Sequence, residues 1–277
     1  MPRPVIVAAV QHCAGLDQAD NLARLAHLVA EAKAGGAELV CLPEYCATYG
    51  TGPGGLVLGE RPEVEHAGFA YLRRLARRHA VWLAVGSLAV AGPDGRTVNR
   101  SFLLDPEGQV RARYDKIHLF DVDLANGERY RESERIAPGA AAVLARTPLG
   151  RIGLSICYDL RFPQLYRRLA QAGAEILLVP AAFTRTTGRA HWEPLLRARA
   201  IENGAYVIAA SQCGQAPDGD LARFGHSLVV GPWGEILADA GEEEGFIIAG
   251  LDLERVAEAR AMIPALRHDR PFDLVGA

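Results

Sequence analysis

Short, continuously apolar runs alternate along the whole chain with longer stretches of helical periodicity, and few folds tolerate that pattern. "PVIVAAVQ" (4–11) is apolar at almost every position, which suits a strand buried on both faces. Leu22, Leu25, Val29 and Ala32 then recur at helical spacing, and Gly35-Gly36 closes that helix. "ELVCLPE" (38–44) is a second buried strand, "FAYLRRLARRHA" (69–80) a helix and "VWLAVGSLAV" (81–90) a third strand. The turn sequences "GPDG" and "DPEG" flank "VNRSFLL" (98–104), one arm of a hairpin that continues into "VRARY". The second half repeats the logic. "RIGLSICYD" (151–159), "EILLVPAA" (175–182) and "AYVIAASQ" (205–212) are strands, separated by helices over 164–172 and 191–204. A hairpin turning at Pro232-Trp233-Gly234, the strand "GFIIAGLDL" (245–253) and the helix "ERVAEARAMI" (254–263) complete the chain. Helices that separate strands in this way cover the faces of a sheet, so the expected class is layered α/β. No linker interrupts the alternation, and one domain over 1–277 is expected.

Composition excludes several function classes. The 277 residues carry 30 basic and 33 acidic side chains, a net charge of −3 that offers nothing to a nucleic-acid backbone. Arg73, Arg74, Arg77 and Arg78 are interleaved with Leu72 and Leu75, the solvated face of an amphipathic helix. The apolar run at the N-terminus is too short to span a membrane, so no membrane partner is expected. Cys13, Cys41, Cys46, Cys157 and Cys213 form an odd set without C-x-x-C, which points to a reduced cytoplasm. Neither H-x-x-x-H nor paired-cysteine spacing occurs, so no metal and no cofactor are expected.

Three reactive side chains stand where apolar strands end: Glu44 after "LVCLP", Lys116 in "YDKIHLF" and Cys157 after "GLSI". Ligands of open α/β sheets collect at the carboxyl ends of strands, so the three are expected to converge. A thiol, a carboxylate and an ammonium together suit acyl transfer through a thioester. The thiol attacks a carbonyl carbon, the carboxylate takes and returns protons, and the ammonium holds the oxyanion. The backbone N–H of Tyr158, just past the nucleophile, is a second oxyanion donor. Arg161 is placed either to pair with Asp159 or to take a substrate carboxylate. Thr186 and Thr187 offer hydroxyl donors to the same group, with loop capping as the alternative. The glycine-rich "YGTGPGG" (49–55) lacks phosphate-loop spacing and reads as a mobile loop beside the site.

"LPEYCATYG", "YDKIHLFD" and "GLSICYDLRFPQLYRRLAQAGAEILLVPAAF" together resemble the nitrilase superfamily of carbon–nitrogen hydrolases. The likeness runs on through 186–214, "FGHSLVVGPWGEILA" and "RHDRPFDL". It implies an α-β-β-α sandwich that dimerises, with Glu44 as general base, Lys116 as oxyanion lysine and Cys157 as nucleophile. It also implies a second glutamate in "YRESERIAPG", at Glu132, with Glu128 and Glu134 nearby. "CYDLRFP" is similar to the Nit-type amidases. Nitrile-cleaving relatives carry Cys-Trp-Glu there, and carbamoylases Cys-Asn-Asp-Arg-Arg-Trp. The implied activity is hydrolysis of a terminal carboxamide of a small acid, deaminated glutathione or an α-keto-acid ω-amide, with release of ammonia. An N-carbamoyl-amide hydrolase or nitrilase of the same superfamily is the alternative. Of the more distant rivals, a papain-like Cys-His hydrolase lacks its Cys-Gly-Ser-Cys-Trp signature here, and a silent binding protein would not need the triad.

Overall fold

A computed structural model describes residues 3–52, 55–92, 94–125, 127–215 and 222–276. Along β1 (Val5–Gln11), Val7 and Ala9 face one apolar cluster while Ala8 and Val10 face another. That two-sided burial is why the run shows no polar alternation. β2 (Leu39–Cys41) and β3 (Trp82–Ala91) lie parallel to β1, and β4 (Thr97–Leu104) and β5 (Val110–Asp115) follow antiparallel. The second sheet has the same pattern of directions. β6 (Val143–Thr147) is antiparallel to β7 (Gly150–Leu154), while β8 (Ile176–Leu178) and β9 (Tyr206–Ala209) are parallel to β7. β10 (Leu228–Val230) and β11 (Ile236–Asp239) close that sheet antiparallel. β12 (Gly245–Leu251) crosses back to pair antiparallel with β1, so each sheet has six strands.

The inner faces of the two sheets share one core, in which Val7, Leu39, Cys41 and Ala84 meet Ile152, Leu154, Ile176 and Leu178. α1 (Gln18–Ala34) and α2 (Ala67–His79) cover the outer face of the first sheet through Leu22, Leu25, Phe69 and Leu72. α3 (Pro163–Gln171) and α4 (Arg185–Asn203) cover the second through Leu165, Leu169, Trp192 and Leu196. The result is the expected α-β-β-α sandwich, with α5 (Glu254–Met262) following β12. No helix among the described residues is long and apolar enough to cross a membrane.

Three local expectations are corrected. The strands holding Glu44 and Cys157 end early, at Cys41 and Leu154, so both side chains ride on the turns beyond. α4 starts at Arg185, six residues before the expected start at His191, because Thr184 caps it by accepting from the Thr187 N–H at 3.3 Å. Thr186 and Thr187 therefore belong to a helical first turn, and Pro194 is tolerated inside the helix. In the glycine-rich stretch, Gly50–Gly52 pairs antiparallel with Gly55–Val57, forming strands where a loop is expected; residues 53–54 lie outside the described ones.

Candidate active site

Glu44, Lys116 and Cys157 meet at one end of the sandwich, in a cavity of about 300 Å³ suited to a small molecule. Glu44 and Cys157 arrive on constrained pieces of backbone. Gly86 in β3 lets the segment before Glu44 pass, since a Cβ there would lie 2.1 Å from the carbonyl oxygens of Leu42 and Pro43. Tyr45, next to Glu44, has φ +50°, and its N–H donates to Ser87 Oγ at 2.9 Å. The Glu44 carbonyl accepts from Gln212 Nε2 at 2.9 Å, which ties it to the second sheet. Cys157 has φ +49° and opens a short 3₁₀ turn (Cys157–Arg161), and its N–H donates to the Pro180 carbonyl at 2.8 Å. Left-handed backbone in non-glycine residues is rare and strained, and here it occurs beside both reactive groups.

The ammonium of Lys116 is buried and donates to Glu44 Oε1 at 3.0 Å and to Glu132 at 2.8 and 3.0 Å. Burial alone would push this lysine down; Glu132 and Glu44 outweigh it and hold the group well above its ordinary value, so it stays charged. Glu132 is itself held by the Phe120 N–H at 2.7 Å, Tyr45 Oη at 3.2 Å and Asn99 Nδ2 at 3.4 Å. Asn99 also donates to Glu44 Oε1 at 2.9 Å. The Cys157 thiol is raised well above its ordinary value by burial first and then by Glu44, against which Lys116 and the Ala182 N–H act in the opposite sense. At rest burial and the nearby Glu44 carboxylate favour the protonated thiol, which becomes nucleophilic only as that proton leaves.

Asp159 fastens the nucleophile turn to the lysine loop. Its carboxylate accepts from the Ile156 N–H at 2.8 Å, Tyr114 Oη at 2.6 Å, and the His118 N–H and Nδ1 at 3.0 and 2.7 Å. The expected alternative of an Arg161–Asp159 pair is not formed, because these donors already occupy the carboxylate. Arg161 instead donates to His191 Nδ1 at 3.2 Å and lies over the rings of Tyr158 and Phe183, 5.8 and 5.4 Å from their centroids.

Of the expected binding residues, Tyr158 and Thr187 line the cavity, while Arg161 and Thr186 stand outside its lining. Thr186 is exposed and its hydroxyl donates to Glu128 at 3.0 Å; Thr187 shares a 3.0 Å hydroxyl contact with Thr184. Among the three glutamates of the "YRESERIAPG" region, Glu132 reaches Lys116, Glu128 accepts from Tyr130 Oη at 2.9 Å, and Glu134 is exposed. Sequence reasoning missed Asn99, Tyr45, Ser87 and Gln212. Asn99 stood inside "VNRSFLL", where one amide in an apolar strand was the available signal.

The model of the carbon–nitrogen hydrolase family matches residues 6–261. This chain belongs to that family and is a hydrolase of carbon–nitrogen bonds. It is 41% identical over 270 residues to a deaminated glutathione amidase of Synechocystis, covering 96% of this chain and 98% of that one. It is 38% identical over 258 residues to human omega-amidase NIT2, covering 91% and 90%. The crystal structure of the Caenorhabditis elegans NitFhit protein superposes with a TM-score of 0.87 at 36% identity, over 98% of this chain and 66% of that one.

Proposed function

We propose that the chain is an amidase that hydrolyses the amide of a small carboxylic acid through a Cys157 thioester, within one catalytic domain spanning 1–277. The observation that carries this reading is the buried contact of one ammonium with two carboxylates beside a protonated thiol. Glu44 takes the Cys157 proton as sulfur bonds to the carbonyl carbon. Lys116 and the Tyr158 N–H receive the oxyanion; the latter lies in the first turn of a 3₁₀ segment, where no intrahelical carbonyl takes it. Glu44 then protonates the nitrogen, the carbon–nitrogen bond breaks, and the amine leaves. In the second half Glu44 deprotonates water, water oxygen adds to the thioester, and the proton returns to sulfur as the acid departs. Glu132 keeps Lys116 charged and in place. Tyr158, Arg161 and Thr187 orient the acyl half, Arg161 by taking its free carboxylate, and Thr186 acts at one remove through Glu128.

The favoured substrates are an α-keto-acid ω-amide, which releases ammonia, and deaminated glutathione, whose amide nitrogen belongs to a peptide and leaves as an amine. The relatives' names support this choice over N-carbamoyl compounds or nitriles. Cytoplasmic placement is supported by the odd, unpatterned cysteine set. Homodimerisation accords with the exposed apolar side chains of Ile201, Trp233, Met262 and Ile263.

The test is product release from an ω-amide with a free carboxylate, its methyl ester, and the matching nitrile and carbamoyl compounds. The amide acid is the fastest, the nitrile is nearly inert, and Cys157→Ser folds without turnover. A nitrile cleaved as fast as the amide would overturn the amidase assignment. Equal rates for acid and ester would remove the carboxylate contact.

A further inference from the structure

Asn99 is fully buried in β4, opposite Ala89 of β3, and ties the site carboxylates together. Its backbone carbonyl accepts from the Lys116 N–H at 2.9 Å, and its Nδ2 donates to Glu44 Oε1 at 2.9 Å and to Glu132 Oε1 at 3.4 Å. One residue thus fixes the lysine through its main chain and both glutamates through its amide. Its neighbours set the orientation of that amide, because turned over it would point Oδ1 at two carboxylates. As it stands, Oδ1 is sealed from solvent without a hydrogen-bond partner. An unsatisfied buried acceptor destabilises a fold, and such local costs collect where function rather than packing fixes the residue.

The donors are shared unequally among the four carboxylate oxygens. Glu132 is engaged on both of its own. Besides Asn99, its Oε1 accepts from Lys116 Nζ at 3.0 Å and Tyr45 Oη at 3.2 Å, and its Oε2 accepts from Lys116 Nζ at 2.8 Å and the Phe120 N–H at 2.7 Å. Glu44 is engaged on one. Its Oε1 accepts from Lys116 Nζ at 3.0 Å and from Asn99, whereas no N–H or O–H among the described residues donates to its Oε2. An oxygen that already holds two donors has little capacity left for a proton, and both donors favour its charged form. Glu44 and Cys157 line the same cavity, so Oε2 is the carboxylate oxygen left for chemistry there.

We infer that Asn99 is a positioning residue: with Lys116 it commits Glu44 Oε1 to fixed donors, so that Oε2 alone takes the proton from Cys157 Sγ and delivers it to the departing nitrogen, without the carboxylate turning over between the two transfers. In the second half the same oxygen takes a proton from water and returns it to sulfur. This rests on Glu44 as the general base of the amidase reading. The experiment follows ω-amide hydrolysis and the rate of Cys157 alkylation by iodoacetamide across about pH 4–9, in wild type, N99L, N99S, E44Q and E44Q/N99L, with folding checked by thermal melts. The titratable groups around Asn99 are Glu44 and Tyr45 beyond β2, Lys116 beyond β5 and Glu132 in its 3₁₀ turn. Without Asn99, Glu44 loses a donor to its charged form, so the acidic limb of both profiles moves to higher pH. In N99L kcat falls by about tenfold to a hundredfold, the worth of a hydrogen bond to a charged group, while KM stays within about threefold. A residue that acts through Glu44 adds little once that carboxylate is gone, so alkylation in E44Q/N99L stays within about threefold of E44Q. A folded N99L or N99S whose limbs stay in place, or whose KM rises with kcat unchanged, overturns the inference; so does an E44Q/N99L loss equal to the two single losses combined. If wild type cleaves no amide but N99L still shifts the alkylation limb, and only when Glu44 is present, the amidase reading falls and the role of Asn99 stands.

Discussion

Replacing Gly86 with alanine tests whether backbone packing against the residues just before Glu44 sets the position of the general base. The new Cβ would sit 2.1 Å from both the Leu42 and Pro43 carbonyl oxygens and 2.3 Å from the Pro43 carbonyl carbon. These are backbone atoms and cannot rotate away. Ordinary contact begins near 3.4 Å, so the segment must retreat by about 1.3 Å. Pro43 is bonded to Glu44, and the displacement is passed directly to a carboxylate that must reach both Cys157 and the substrate nitrogen. Misplacement of a reacting group by about 1 Å costs on the order of 10²-fold in rate. Forcing atoms into a packed interior also costs roughly 1–3 kcal/mol of stability. G86A therefore loses about two orders of magnitude in kcat for amide hydrolysis and melts several degrees lower, read by product release and thermal denaturation. Gly245 is the matched control, a strand glycine with no heavy atom within 4 Å of its Cβ, and G245A changes neither quantity. A G86A enzyme with kcat within about threefold of wild type and an unchanged melt would refute this account of how Glu44 is placed.

Lys116→Met lowers kcat by on the order of 10²–10³ while KM moves far less, because it removes an oxyanion donor. It also leaves Glu44 and Glu132 buried without their shared cation; an unchanged kcat with a raised KM would instead assign Lys116 to ground-state binding. Glu63 predicts a pH-dependent loss of stability. Burial pushes its carboxyl up, but Arg113 and Arg100 outweigh burial and hold it below its ordinary value. A depressed folded-state pKa gives stability that is complete above the unfolded carboxylate value near 4.3 and is lost as pH falls through the lower folded value. Glu63→Gln therefore costs about 1 kcal/mol at pH 7, and the gap between the urea midpoints of the two proteins narrows as pH falls below about 4.3; a gap that stays constant through that range would remove the ion pairs as its cause.

The layered α/β class and the places of Glu44, Lys116 and Cys157 were legible in the sequence because they rest on local regularities. A strand buried on both faces must be almost continuously apolar, as β1 is up to Val10, and a covering helix must repeat its apolar side chains every turn, as Leu22, Leu25 and Val29 do. Reactive residues just past such strands fall at one sheet end by topology alone. Tertiary structure decided what depends on separate segments meeting. The thiol of Cys157 is pushed up because burial, and then Glu44 more than a hundred residues earlier, act on it together. Asp159 binds Tyr114 and His118 instead of Arg161 because β5 delivers those donors to the nucleophile turn. Asn99 touches both site carboxylates although its own strand reads only as one arm of a hairpin. Arg223 looks like any surface arginine in the sequence; its burial against Tyr49 is a property of the packed molecule that no local pattern carries.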